Sequence, residues 1–156
     1  MTNGIPDLLK GLAQADVDET LALGSQIFLD GGDELFRLGA EADCLYLVAR
    51  GRINLTLPMQ VRGKDQDVLV EERVPGQTVG WSALTPPYRF TLRATAPLAT
   101  EVISLPRAAL KDHFTKHPDI GYIVSLNLAS VIGQRLQLFQ AMWLREMERM
   151  VELRCA

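Results

Sequence analysis

The sequence predicts a mainly β domain with flanking helices. Three observations carry this. Runs of four to eight β-favouring residues, punctuated by Gly, Pro and Asp, fill residues 25–105. Helical spacing precedes them, and an uninterrupted helical pattern follows. Short strands at close spacing argue for a sandwich, a jelly roll or a small barrel. No strand in this stretch alternates with a long helix, so a parallel sheet is not expected. The 156 residues are one domain's worth of chain. At 47% hydrophobic and 22% charged, the composition excludes a disordered, collagen-like or low-complexity chain.

Residues 1–24 read as a helical lead. Pro6 or Asp7 starts it, Leu8, Leu9 and Leu12 give helical spacing, and Gly24 stops it. Strands are expected at Ile27–Leu29, Leu35–Leu38, Leu45–Val48, Ile53–Pro58, Val68–Val74, Phe90–Ala94 and Thr100–Leu105. Gly39 and Gly51 fall between strands, where tight turns need positive φ. Residues 107–154 read as helices. Arg107–Lys116 forms one, with Pro106 at its start; His117-Pro118-Asp119 breaks it. A second helix runs from about Asp119 to Leu153 with no internal proline, roughly 50 Å at ~1.5 Å per residue.

That helix overshoots a β domain about 30–35 Å across. Its stripe of Leu128, Ile132, Leu136, Phe139, Trp143, Met147 and Met150 steps by three or four. A second stripe includes Val124, Val131, Leu138 and Met142. An exposed apolar stripe marks an interaction surface, so the first is expected to meet its own copy in a homodimer. The other reading is a helix that bends back over its own domain.

Charge and chemistry exclude several classes. With 16 Lys and Arg against 19 Asp and Glu, the net charge is −3, and there is no basic run for a phosphate backbone. Arg135, Arg145, Arg149 and Arg154, interleaved with Glu146, Glu148 and Glu152, read as a solvated helix face. No signal peptide and no apolar span is visible, which makes the cytoplasm the simplest compartment and no membrane partner expected. The two cysteines, Cys44 and Cys155, form no CxxC; Cys44 reads as a buried strand residue and Cys155 as a chain-end thiol. His113 and His117 are four apart on one helical face, a spacing that can hold a metal. No third ligand declares itself, and the pair reads as two histidines near a helix C-terminus. Asp30, Asp33 and Glu34 read as turn carboxylates beside glycines. No nucleophile elbow, P-loop or paired catalytic carboxylates occur, and no enzyme is expected; a cupin-like enzyme would need metal-binding histidines that the strands lack.

The run Gly32, Leu35, Gly39, Ala42-Asp43, Leu45-Tyr46-Leu47-Val48, Gly51, Ile53 and Leu55 resembles the opening strands of the cyclic-nucleotide-binding domain. This is the family of the bacterial catabolite activator protein and of the regulatory subunits of protein kinase A. Pro75-Gly76-Gln77-Thr78-Val79-Gly80 resembles the lead into its phosphate-binding cassette. The resemblance covers about residues 25–138. It implies a double-stranded β-helix jelly roll, cupin-like and eight-stranded, followed by a long C-terminal dimerisation helix. It also implies a small-ligand sensor.

Carried onto this chain, the resemblance places an anionic ligand, a cyclic nucleotide or another small anion, on the turn Gly80, Trp81, Ser82, Ala83 and Leu84. Arg89 and Thr91 follow as further contacts, and Phe139 and Gln140 are the lid residues from the long helix. No cofactor is certain. The family's Gly-Glu reads Gly80-Trp81 here. An indole has one donor and no acceptor for a ribose hydroxyl. A buried hydroxyl without its acceptor loses on the order of 1–3 kcal/mol, so nucleotide binding should be weak or altered. Arg89 stands one residue early counted from Gly80, and counting back from Ala94 the family position falls on Tyr88. Phe139 can stack on a base or serve only the dimer stripe. The chain stops at Ala156, which leaves no room for a helix-turn-helix, so direct DNA binding is not expected and an unidentified partner protein would carry the output. The alternative function is a ligand-free dimerisation or scaffold module in which Trp81 fills the old pocket.

Overall fold

A computed structural model of the chain describes residues 4–156, so residues 1–3 of the lead lie outside the described residues. Strands β1 (Ser25–Leu29), β2 (Glu34–Phe36), β3 (Cys44–Arg50) and β4 (Ile53–Val61) come first. Strands β5 (Lys64–Arg73), β6 (Thr78–Val79), β7 (Arg93–Thr95) and β8 (Thr100–Pro106) follow. They form two four-stranded antiparallel sheets, ordered β1-β8-β3-β6 and β2-β7-β4-β5. Each sheet thus alternates strands from the two halves of the β region, which is the jelly-roll arrangement.

The lead is not one helix. A 3-10 turn at Asp7–Leu9 precedes helix α1 (Gln14–Leu21), and Gly11 at φ 89° separates them. Leu8, Leu9, Leu12 and Val17 are buried and close one end of the core. Each side chain buried this way contributes roughly 1.5–3 kcal/mol. β6 is a two-residue strand too short for sequence periodicity to reveal. β7 begins at Arg93, so Phe90, expected within a strand, precedes it; its side chain is nevertheless buried. Helix α2 (Arg107–Lys116) matches expectation. His117, with φ −128° and ψ 73°, breaks the path before α3 (Pro118–Cys155), as a residue ahead of proline should.

Helix α3 has 38 residues, about 57 Å of helix. Its buried residues are Ile120, Gly121, Val124, Val131 and Arg135, all in its first half. Asn127 Nδ2 donates to the carbonyls of Leu8 and Lys10, at 2.9 and 2.8 Å, and ties the lead to this half. Beyond Arg135 nothing is buried. Leu136 (60% exposed), Trp143 (62%) and Met150 (45%) face solvent, whereas Leu128 and Phe139 of the same expected stripe pack partly against the chain's own core.

Gly51 carries the β3–β4 turn at φ 77°. A Cβ there would lie 2.5 Å from Thr100 Oγ1 and 2.6 Å from the Ala99 carbonyl. Thr100 cannot yield freely, because its hydroxyl bridges the Arg52 and Leu98 carbonyls at 3.0 and 2.8 Å. Gly51→Ala therefore combines backbone strain with overpacking and should cost about 2–4 kcal/mol. Urea denaturation checks this; a change below about 0.5 kcal/mol would contradict it.

Candidate functional site

The turn that resembles the family cassette sits between the sheets. Gly80 takes the left-handed conformation (φ 78°, ψ 40°) and starts a 3-10 turn, Trp81–Leu84. Only glycine suits this position, since a Cβ would also come 3.0 Å from Phe90 Cε1. Ser82 and Ala83 are buried, Trp81 and Leu84 half-buried. Within the turn the Ala83 amide donates to the Gly80 carbonyl at 3.1 Å.

Gly80, Trp81, Ser82 and Thr91 line a cleft completed by Phe36, Leu55, Phe90, Leu92 and Arg135. Its free volume is about 10 Å³. That is room for one water at most. Phe36 and Phe90 stack with centroids 3.6 Å apart and planes 7° from parallel, and Tyr46 stacks on Phe36 at 5.9 Å. Burial, aided by Cys44 and Asp43, pushes the Tyr46 phenol up to about 12.

The polar floor is a charge cluster that sequence reasoning missed. Arg135 is 7% exposed, and its Nε donates to Glu71 Oε2 at 2.6 Å. This corrects the solvated-face reading for Arg135; Arg145, Arg149 and Arg154 are exposed as expected. Burial pulls the Arg135 guanidinium below its usual range, Glu71 opposes that, and Arg73 adds to it. Arg73 is 3% exposed, with Nη2 3.1 Å from Glu71 Oε1. That contact lacks hydrogen-bond alignment, and neither Nε nor Nη2 finds a hydrogen-bond partner. Glu71 and Arg73 pair in register with Leu55 and Ile53 of β4, both buried, so they share the inward face of β5. Two guanidiniums therefore share one carboxylate inside the roll.

The remaining expected contacts lie elsewhere. Arg89 is exposed; its Nη1 reaches only the Gly39 carbonyl at 3.3 Å, and its backbone bridges Glu41. Tyr88, at φ 57°, lies under Arg107 (4.2 Å from guanidinium to ring) and accepts from Lys111 Nζ at 2.8 Å. Neither residue joins the cleft. Phe139 packs against the core edge, and Gln140 is exposed. Cys44 is half-buried and Cys155 exposed, both as free thiols.

Removing one partner from a buried ion pair leaves an uncompensated charge, costing about 3–5 kcal/mol. Glu71→Ala should fall in that range. Arg73→Met removes the guanidinium with unmatched donors while leaving Glu71 paired to Arg135, so it should be within about 1 kcal/mol of neutral or stabilising. Chemical denaturation of the two variants checks the contrast; equal losses would contradict it.

Comparison with known proteins shows the family of the fold. The family model for the cyclic nucleotide-binding domain matches residues 26–117. No curated protein matches the chain. Among solved structures, the catabolite activator protein of Thermus thermophilus is 25% identical, with a TM-score of 0.74. That likeness covers 91% of this chain and 63% of the other, so this chain spans less than two thirds of that regulator's length. The N-terminal domain of a transcriptional regulator from Streptomyces coelicolor shares the fold at 22% identity and a TM-score of 0.70, covering 82% and 89% of the two chains. The c-di-GMP-responsive global regulator CLP of Xanthomonas campestris does so at 18% and 0.73, covering 85% and 64%. The matched family is a binding domain and these neighbours are regulators, not enzymes. The chain belongs to the cyclic nucleotide-binding domain family.

Proposed function

We propose that the protein is a cytoplasmic, homodimeric regulatory module whose ligand cleft is filled by its own side chains. Cyclic AMP and cyclic GMP then bind weakly, and α3 passes the output to a partner protein. The observation that carries this reading is the cleft volume of about 10 Å³. A nucleotide needs a cavity of several hundred Å³. To enter, it would have to part Phe36 from Phe90 or Arg135 from Glu71, with Trp81 supplying no acceptor for a ribose hydroxyl. Arg89 faces away from the cleft and offers a phosphate nothing there.

A second reading, a sensor for another small anion, is favoured by Arg73 and Arg135 sharing Glu71. An anion would answer the donors of Arg73 that find no partner. A backbone shift of α3 would accompany its entry, because Arg135 sits on that helix.

Calorimetric titration with cyclic AMP and cyclic GMP tests the filled-cleft reading. Expected dissociation constants for both nucleotides are about 1 mM or weaker. A value below about 10 µM would overturn the filled-cleft reading.

The dimer reading rests on α3. Tyr122, Leu126, Leu136, Trp143 and Met150 are exposed and fall on one repeat stepping by four and three, whose intervening positions are Ala129, Gly133, Gln140 and Met147. Sedimentation should give a dimer, and Trp143→Asp, which places a charge in that seam, should give a monomer. A dimer unchanged in the variant counts against α3 as the interface.

A further inference from the structure

We propose that Glu19, His113 and His117 form a binding site for a divalent transition metal of the zinc type, at the corner where α2 meets α3. The sequence shows the two histidines four residues apart. The fold adds the third ligand, Glu19, from α1 and 94 residues away from His113. One nitrogen of each imidazole and one carboxylate oxygen all lie within 4.8 Å of one another. His117 Nε2 and Glu19 Oε1 are 3.7 Å apart. Ligand atoms around a tetrahedral zinc, each at ~2.0–2.1 Å from it, stand ~3.3–3.4 Å apart. The contraction required is at most about 1.5 Å, within reach of rotamer changes in Glu19 and His117, which are 55% and 42% exposed.

The surroundings favour a cation. His113 and His117 stand at the C-terminal end of α2, where the helix dipole is negative. The buried His113 ring is oriented from its inner side by Thr20, whose Oγ1 lies 3.4 Å from Nε2 and itself donates to the Asp16 carbonyl at 2.8 Å. With Nε2 turned to Thr20, Nδ1 would be the nitrogen of His113 left to the metal, and a polar group on the other ring nitrogen is the usual outer-shell arrangement. The imidazole planes are 47° apart with centroids at 4.8 Å, so the rings converge without stacking. Two imidazoles and a carboxylate suit Zn²⁺, Ni²⁺, Co²⁺ or Cu²⁺ and leave a coordination position for water.

Bound metal would tie α1 to the α2–α3 corner. Gly121 already brings α2 and α3 together there, since a Cβ on it would lie 2.9 Å from Phe114 Cβ. The site is independent of the cleft and of the function proposed for it.

These are the only two histidines in the chain, which makes the test clean. The untagged full chain, stripped with a chelator, is titrated with ZnCl₂ by calorimetry and with CoCl₂ by visible absorption. One Zn²⁺ per chain is expected, with a dissociation constant of about 10 µM or tighter and a rise in thermal midpoint. His117→Ala and Glu19→Gln, both at accessible positions, should each weaken binding at least about tenfold. Circular dichroism of the metal-free variants reports that they remain folded. In the Co²⁺ form the d–d bands should disappear in His117→Ala. Absence of binding at about 100 µM Zn²⁺, binding unchanged in His117→Ala, or binding abolished instead by Cys155→Ser would each overturn the site.

Discussion

The contact between Glu71 and Arg135 fixes where the long helix stops belonging to the β domain. It joins the inward face of β5 to α3 at 2.6 Å, and Arg135 is the last buried residue along that helix. Upstream, apolar burial at Ile120, Val124 and Val131 holds the helix. Downstream there is only partial packing at Phe139. A charge-assisted hydrogen bond inside a low-dielectric interior is directional as well as strong. It therefore sets the rotation of α3 about its axis, and with it the direction in which Leu136, Trp143 and Met150 project.

Local rules made most of the fold legible. Strand alternation, turn glycines and a proline break placed six of the eight strands closely and both C-terminal helices. Two features escaped for physical reasons. β6 has two residues, less than one period of alternation. The lead splits because Gly11 adopts positive φ, a choice that leucine spacing on either side does not reveal.

The site was legible in part. Gly80, Trp81, Ser82 and Thr91 do line the cleft, and their turn is the element the glycine pattern marks. Arg135 was hidden because a guanidinium beside glutamates on a helix looks solvated; only a carboxylate 64 residues away on β5 makes its burial tolerable. Glu71 and Arg73 lie in a run of charges that reads as an exposed edge, and inward register is a property of the sheet rather than of the run. Arg89, expected beside the turn, lies outside the cleft. The left-handed Tyr88 turns the loop so that Tyr88 docks on α2 and Arg89 points to solvent. Residue counting fixes loop length, whereas that single backbone angle fixes direction.

The same anchoring explains how a filled cleft could still regulate. From Arg135 to Cys155 the helix extends about 30 Å beyond its last buried contact. A tilt of about 5° at Arg135 would move the far end by about 2.6 Å, half a helical turn's rise. A shift of that size would disturb the register of apolar side chains meeting across a two-fold, which packed interfaces resolve as discrete states rather than by gradual deformation. The lever needs only a change in how Arg135 divides its attraction between Glu71 and whatever else enters beside Arg73. A ligand with no preference between the two helix positions would shift nothing, however tightly it bound. On the anion-sensor reading, sensitivity would depend less on the volume of the cleft than on the imbalance of two buried guanidiniums against one carboxylate, because that imbalance would give the helix a reason to move.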